Sequence, residues 1–198
     1  MVSYNDPCSG YKTQTYRMQT QTSVVRQGKY AARFEVRDGD YPGFPSGERS
    51  EVNESGSVNG TVGSERWYQW SFQLANGFPV ARDWQVYSQW HGYIDGSPPI
   101  AIGANSWFFP NGQWGIDVNS YTSSNTDTGR TEYAIWKTPQ KTGVWNDIKL
   151  HIKWSPDPTV GFIEFWYNGV RQTFTGAPCA NQTRCYVRTM IPGDRGVY

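Results

Sequence analysis

At 198 residues, with 18 Lys and Arg set against 17 Asp and Glu, the chain has the length of one all-β domain and a nearly balanced charge. That balance excludes a broad field for nucleic acid or an anionic membrane, and no apolar run approaches the roughly eighteen residues of a membrane span. Aromatic residues make up 16% of the chain, with ten Trp and thirteen Tyr, and Gly and Pro are plentiful, which suits strands, tight turns and a sugar-stacking surface.

No linker or charge block divides residues 1–198, so a single domain is expected. Met1-Val2-Ser3-Tyr4 lacks the pattern of a secretory leader and reads as a mature or trimmed start. Alternating or β-rich runs then follow in order: Tyr30–Val36, Ser50–Val52, Trp67–Leu74, Trp84–His91, Trp107–Phe109, Trp114–Val118, Ala134–Trp136, Trp145–Trp154, Phe162–Tyr167 and Tyr186–Met190. Turn signals such as Asp38-Gly39-Asp40, Pro110-Asn111-Gly112 and Asn168-Gly169 separate them, and no helical period competes. With no crossover helices to support parallel pairing, the pattern predicts an all-β, two-sheet antiparallel sandwich of the jelly-roll kind.

Within Gly47-Glu48-Arg49-Ser50-Glu51-Val52-Asn53, strand periodicity predicts Arg49, Glu51 and Asn53 on one polar face. An outward guanidinium there can grip a carboxylate in two-pronged fashion, whether a neighbour's or a ligand's. In Gln89-Trp90-His91 the same periodicity sets Gln89 and His91 on one face and Trp90 on the other, joining a carboxamide donor to a base that is neutral near pH 7. Tyr93 follows closely. Along Trp145–Trp154, Ile148, Leu150, Ile152 and Trp154 share one face and Lys149, His151 and Lys153 the other. Along Phe162–Gly169, Ile163, Phe165 and Tyr167 oppose Glu164, Trp166 and Asn168, so Trp166 sits on the polar face, either as packing for cross-strand neighbours or as a sugar contact. Cys179 and Cys185 bracket CANQTRC and are expected to form a disulfide; three reduced thiols is the alternative, and Cys8 is left over. Glycosylation patterns at Asn53, Asn59 and Asn181 are of a frequency that chance supplies.

RSEV at 49–52 and QWH at 89–91 resemble the β-jelly-roll polysaccharide lyases, the superfamily of alginate, heparin and glucuronan lyases. GKYAARFEVRDGD at 28–40, SERWYQWSFQL at 64–74, GVWNDIKLHIKWSPD at 143–157 and GFIEFWYNGVRQ at 161–172 look, in that order, like its heparin lyase I and glucuronan lyase branch. The resemblance implies a secreted, extracellular enzyme that cleaves a 4-linked uronic acid polymer by β-elimination, glucuronan-like before heparin or alginate. Arg49 and Gln89 would neutralise the uronate carboxylate and His91 would act at the proton-abstraction step. Glu51, Asn53, Tyr93, His151, Lys153 and Trp166 are the substrate-binding candidates. In such lyases a tyrosine in a late YxKxGxY motif protonates the leaving oxygen. Tyr198 matches the first tyrosine of that motif, the remainder does not follow, and the final strand is therefore expected to be missing, with Tyr93 or Tyr167 as substitutes.

No ligand spacing indicates a metal, and no cofactor is required; some lyases of this kind carry a structural Ca²⁺, for which Asp38–Asp40 is the candidate loop. The expected partner is an acidic polysaccharide, with no nucleic acid and no membrane, and the expected state is a monomer, association through an exposed sheet edge being the alternative. Two rival functions stay open: a non-catalytic lectin-like module that uses the same side chains, and a glycoside hydrolase, for which Glu51 and Glu164 lie on separate strands without an evident partner carboxylate.

Overall fold

The structure, a computed structural model, describes residues 14–41, 47–52, 60–79, 84–91, 97–105, 108–109, 112–120 and 130–190. The chain divides into two units, Met1–Ser57 and Val58–Tyr198.

In the first unit, β1 (Met18–Gln21) and β2 (Ala31–Phe34) form an antiparallel pair, with Met18 opposite Phe34. Its anchor is ionic. Arg17 Nη2 donates to Asp40 Oδ1 at 2.9 Å with both side chains buried, the Tyr16 hydroxyl donates to the same oxygen at 2.6 Å, and the Arg37 amide donates to Oδ2 at 2.7 Å. Burial would raise the Asp40 carboxyl, but the bonds from Tyr16, the Arg37 amide and Arg17, together with the Arg17 charge, hold it below the ordinary range. Residues 47–52 hang on this anchor: the Arg49 amide donates to the Asp40 carbonyl at 3.2 Å and the Ser50 hydroxyl to the Arg17 carbonyl at 2.6 Å.

The second unit is a sandwich of two antiparallel sheets. One holds β3 (Glu65–Gln73), β8 (Trp145–Lys153), β9 (Phe162–Tyr167) and β10 (Val170–Arg171) in the order β10-β9-β8-β3, with β11 (Cys185–Tyr186) also on β9. The other runs β4 (Trp84–Trp90), β5 (Ile100–Asn105), β6 (Gln113–Ser120), β7 (Thr131–Pro139). Alternation builds the core between them. Ile148, Leu150, Ile152, Ile163 and Phe165 from the first sheet meet Ile100, Ile102, Trp114, Ile116 and Val118 from the second. Rings bridge the layers: Phe72 stands edge-on to Trp114 at 5.2 Å, Tyr68 to Trp90 at 5.2 Å and Trp136 to Phe165 at 4.7 Å. At Asn168-Gly169 both residues adopt positive φ, 50° and 80°, the geometry that turns β9 into β10.

The sandwich and the face assignments of β8 and β9 match the sequence expectation, and Cys179 and Cys185 are joined. Three elements differ. Ser50–Val52 is not a strand: the Arg49 amide before it goes to the Asp40 carbonyl and the Ser50 hydroxyl to the Arg17 carbonyl, and no ladder forms. Consecutive outward positions Arg49 and Glu51 therefore do not rest on pleating. The described part of Trp107–Phe109 is a turn, and the strand lies earlier, at β5, where Ala and Gly hid the period. Of the last predicted run, Tyr186–Met190, only Tyr186 lies in a strand, the end of β11, while β1 and β10 are not anticipated. Cys8, Tyr198 and the chain end lie outside the described residues.

Two expectations follow for stability. A Cβ at Gly103 would stand 2.0 Å from the Gln85 carbonyl oxygen of β4, so Gly103→Ala should cost about 1–3 kcal/mol in urea unfolding and shift β4. The disulfide closes a short loop, and replacing both cysteines by alanine should cost about 2–3 kcal/mol in the same measurement.

Candidate functional site

On the four-stranded sheet the residues between the core positions point away from the core. The register sets Gln89, Ala101, Asp117 and Ala134 in one row across β4, β5, β6 and β7, and Asn119 opposite Glu132 in the next. Trp90, buried, locks the parity that turns Gln89 outward. Farther up β4 the register shifts between Val86 and Ser88, and the extra residue, Tyr87, turns into the core against Phe72 and Trp114. His91 follows directly on β4, half-buried and just past its last paired residue.

Asp117 is only 8% exposed and hydrogen-bonded to Glu132. Burial first, and then the charge and hydrogen bond of Glu132, push its carboxyl up to about 8, against the pull of its own amide and of Arg130. The pair therefore carries less negative charge at neutral pH than its formula suggests. Arg130 bridges Glu132 at 3.5 Å and the Ser97 hydroxyl. Asn119 pins the approach to β5, its amide donating to the Pro99 carbonyl at 2.9 Å and its Nδ2 to the Pro98 carbonyl at 2.6 Å. Gln89 thus presents a carboxamide whose row holds, among the described residues, a single acid, Asp117, two strand spacings or about 10 Å away. Chemically, such a face can receive an anionic group at Gln89 with little repulsion.

Arg49 and Glu51 belong to the other unit and pair with each other, Nη1 to Oε1 at 3.3 Å. Asn53 and Tyr93 lie outside the described residues. Tyr167 faces the core, where its hydroxyl donates to Asn146 Oδ1 at 2.8 Å and its ring packs on Trp136, so it is no substitute proton donor. Asp38–Asp40 does not fit a cation either, since both Asp40 oxygens already accept bonds from Arg17, Tyr16 and the Arg37 amide. Among the described residues no group of three or more His, Cys, Asp or Glu could hold a metal ion.

His151, Lys153 and Trp166 stand on the outer face of the five-stranded sheet, and the core separates them from Gln89. They are not neighbours of the QWH segment. His151 Nδ1 bonds Glu164 Oε2 at 2.8 Å, its Nε2 lies 3.8 Å from Glu65, and its ring is stacked on Trp67 with centroids 4.1 Å apart. Lys153 pairs with Glu65 at 3.7 Å. Burial would raise the Glu164 carboxyl, but His151 and Arg184 as hydrogen-bond donors and the charges of Arg184 and Arg171 hold it low.

Sequence reasoning overlooked Asp117, Glu132, Trp67 and Arg184. Asp117 had a visible signal, a lone carboxylate between Ile116 and Val118 in a run buried on both faces. Trp67 alternates with Tyr68 and Trp70, and its outward parity could have been read from the same period. Arg184 lies outside any strand and carried no signal.

The family model described as polysaccharide lyase matches residues 4–189. Among solved structures, the crystal structure of an endo-β-1,4-glucuronan lyase from the fungus Trichoderma reesei superposes with a TM-score of 0.66 at 19% identity, over 91% of this chain and 74% of that one. No curated protein matches.

Because folding raises the Asp117 carboxyl far above its unfolded value of about 4, the folded chain keeps a proton that the unfolded chain releases between those limits. The stability this contributes is full below the unfolded value and falls as pH rises toward about 8. The melting temperature should therefore be lower at the alkaline end of this window than at the acidic end, and Asp117→Asn should flatten most of that slope.

Proposed function

The chain belongs to the polysaccharide lyase family, and from this we propose that it cleaves a 4-linked uronic acid polymer, a glucuronan-like one, by β-elimination. The match over residues 4–189 carries the reading, and the outward Gln89 on a face of muted negative charge supports it. The glucuronan lyase among the similar structures favours a glucuronate polymer over alginate or heparin. As a degrader of polymers too large to enter a cell, it is placed outside the cell.

Removal of the proton at C5 leaves charge that spreads into the carboxylate. The Gln89 carboxamide donates to that group and so lowers the barrier. His91, two residues on, takes the C5 proton as a neutral imidazole. The C4–O bond then breaks, a C4=C5 double bond forms, and the leaving oxygen collects a proton. Arg49 is assigned a hold on a uronate carboxylate by the RSEV resemblance alone, and Glu51, its ion-pair partner, keeps the guanidinium from wandering.

The test follows the ultraviolet absorbance of the unsaturated uronate product with glucuronan, heparin, alginate and hyaluronan as substrates. Glucuronan should give the fastest rise. Gln89→Ala should lower kcat/KM by about 10²–10³-fold, and His91→Ala by about 10²–10⁴-fold, with the fold intact by circular dichroism. Binding of the polymers without any product would replace this reading with the lectin-like one.

A further inference from the structure

The outer face of the five-stranded sheet is built in a way that core packing does not require. Trp67, the third residue of β3, is 57% exposed, whereas Tyr68, Trp70 and Phe72 on the opposite face are half-buried against the core. One face of its indole lies flat on His151, at an interplanar angle of 3°. Because β3 ends the sheet order among the described residues, no further strand is ranged along its other side. Trp166 stands next to it, centroids 5.3 Å apart and tilted by 42°. Two indoles thus form a step of apolar surface, and the rings of Phe162 and Tyr186, 6.1 Å apart, stand on the same face.

Cations surround the step. Lys149 Nζ lies 4.4 Å from the Trp166 ring centroid and 5.5 Å from that of Trp67, and the Arg171 guanidinium lies 5.7 Å from Trp166. Arg171 and Arg184 converge on Glu164, Arg184 Nε at 3.0 Å, and His151 bonds the same carboxylate. That carboxylate is buried, while the two arginine side chains are 44% and 42% exposed. The Arg184 guanidinium also lies over the Phe162 ring, 4.2 Å from its centroid, so the hidden anion and that ring fix its position together. Lys149 and Arg171 are the cations beside the indoles, and Glu65, an acid on the same face, is paired with Lys153 at 3.7 Å.

Aromatic faces stack on the apolar C–H faces of pyranose rings, and forked guanidinium donors match carboxylates. We infer that this face is a second binding surface for an acidic polysaccharide, separate from the Gln89 face and without a part in bond cleavage. Its elements are Trp67, Trp166, Lys149, Arg171 and Arg184. It lies across the core from Gln89, so a polymer held there is tethered near the enzyme while another stretch is presented to the opposite sheet. Tethering raises the local concentration of substrate without any new contact at the reacting sugar. The inference rests on the ligand being an acidic glycan, as in the proposed function, and not on its being cleaved.

The experiment is native electrophoresis of the full chain in gels containing soluble β-1,4-polyglucuronate, with a neutral β-glucan as control. Polyglucuronate should retard the wild type and the neutral polymer should retard it far less. Trp67→Ala and Lys149→Glu should each weaken retardation by about tenfold, the cost of one lost stacking or charged contact. Lys149→Glu changes a side chain that faces outward on β8, so it reports even if Trp67→Ala lowers the yield of folded protein. Retardation of both variants equal to the wild type, or no retardation of the wild type, would each overturn the inference. Failure of the lyase reading would show instead as absence of unsaturated product, with retardation unchanged.

Discussion

The layer of rings and branched aliphatic side chains between the two sheets decides everything that faces outward. A strand side chain has only two choices of face, and the core takes one of them. Trp90 against Tyr68 and Trp70 fixes β4, Ile148 to Ile152 fix β8, and Ile163 with Phe165 fixes β9. Gln89, His151, Glu164 and Trp166 are outward because their neighbours are committed inward. A slip of one residue in any of these strands would bury a charge and expose an indole or isoleucine at once, so the outer faces inherit the full cooperativity of the core.

That dependence also explains which features could be read from the sequence. β8 and β9 alternate cleanly, and their faces followed from the residues alone. β5 did not announce itself as well, since Ala101 and Gly103 blur the contrast between faces, and β6, legible as a strand at Trp114–Val118, is buried on both faces and so hid which of them is the outer one. Residues 47–52 failed for a different reason. Their polar alternation imitates a strand, but the carbonyls of the buried Arg17–Asp40 pair take the Ser50 hydroxyl and the Arg49 amide, and no local pattern encodes a partner more than thirty residues away along the chain, as Arg17 is from Ser50. The opposite parity of Gln89 and Trp90 was readable in the QWH segment; that His151, Lys153 and Trp166 belong to another face needed the sheet order, which periodicity does not contain.

The two outer faces handle charge in opposite ways. On the four-stranded sheet, acid is placed beside acid with little solvent, so that a proton is retained and negative charge is muted near Gln89. On the five-stranded sheet, a carboxylate is buried among three nitrogen donors and stays ionised, and its use is to orient cations at the surface. An anionic polymer benefits from both arrangements. A single net charge near zero conceals two local fields.

The extra residue in β4 has an effect on how freely this fold can vary. By inserting Tyr87 between two stretches that each obey simple alternation, the bulge uncouples the parity of Trp84–Val86 from that of Ser88–Trp90. The rim of the sheet can then exchange its inward and outward side chains without disturbing the half that aims Gln89. Such a joint divides one strand into a segment that aims Gln89 and a neighbouring segment whose side chains can change without moving it.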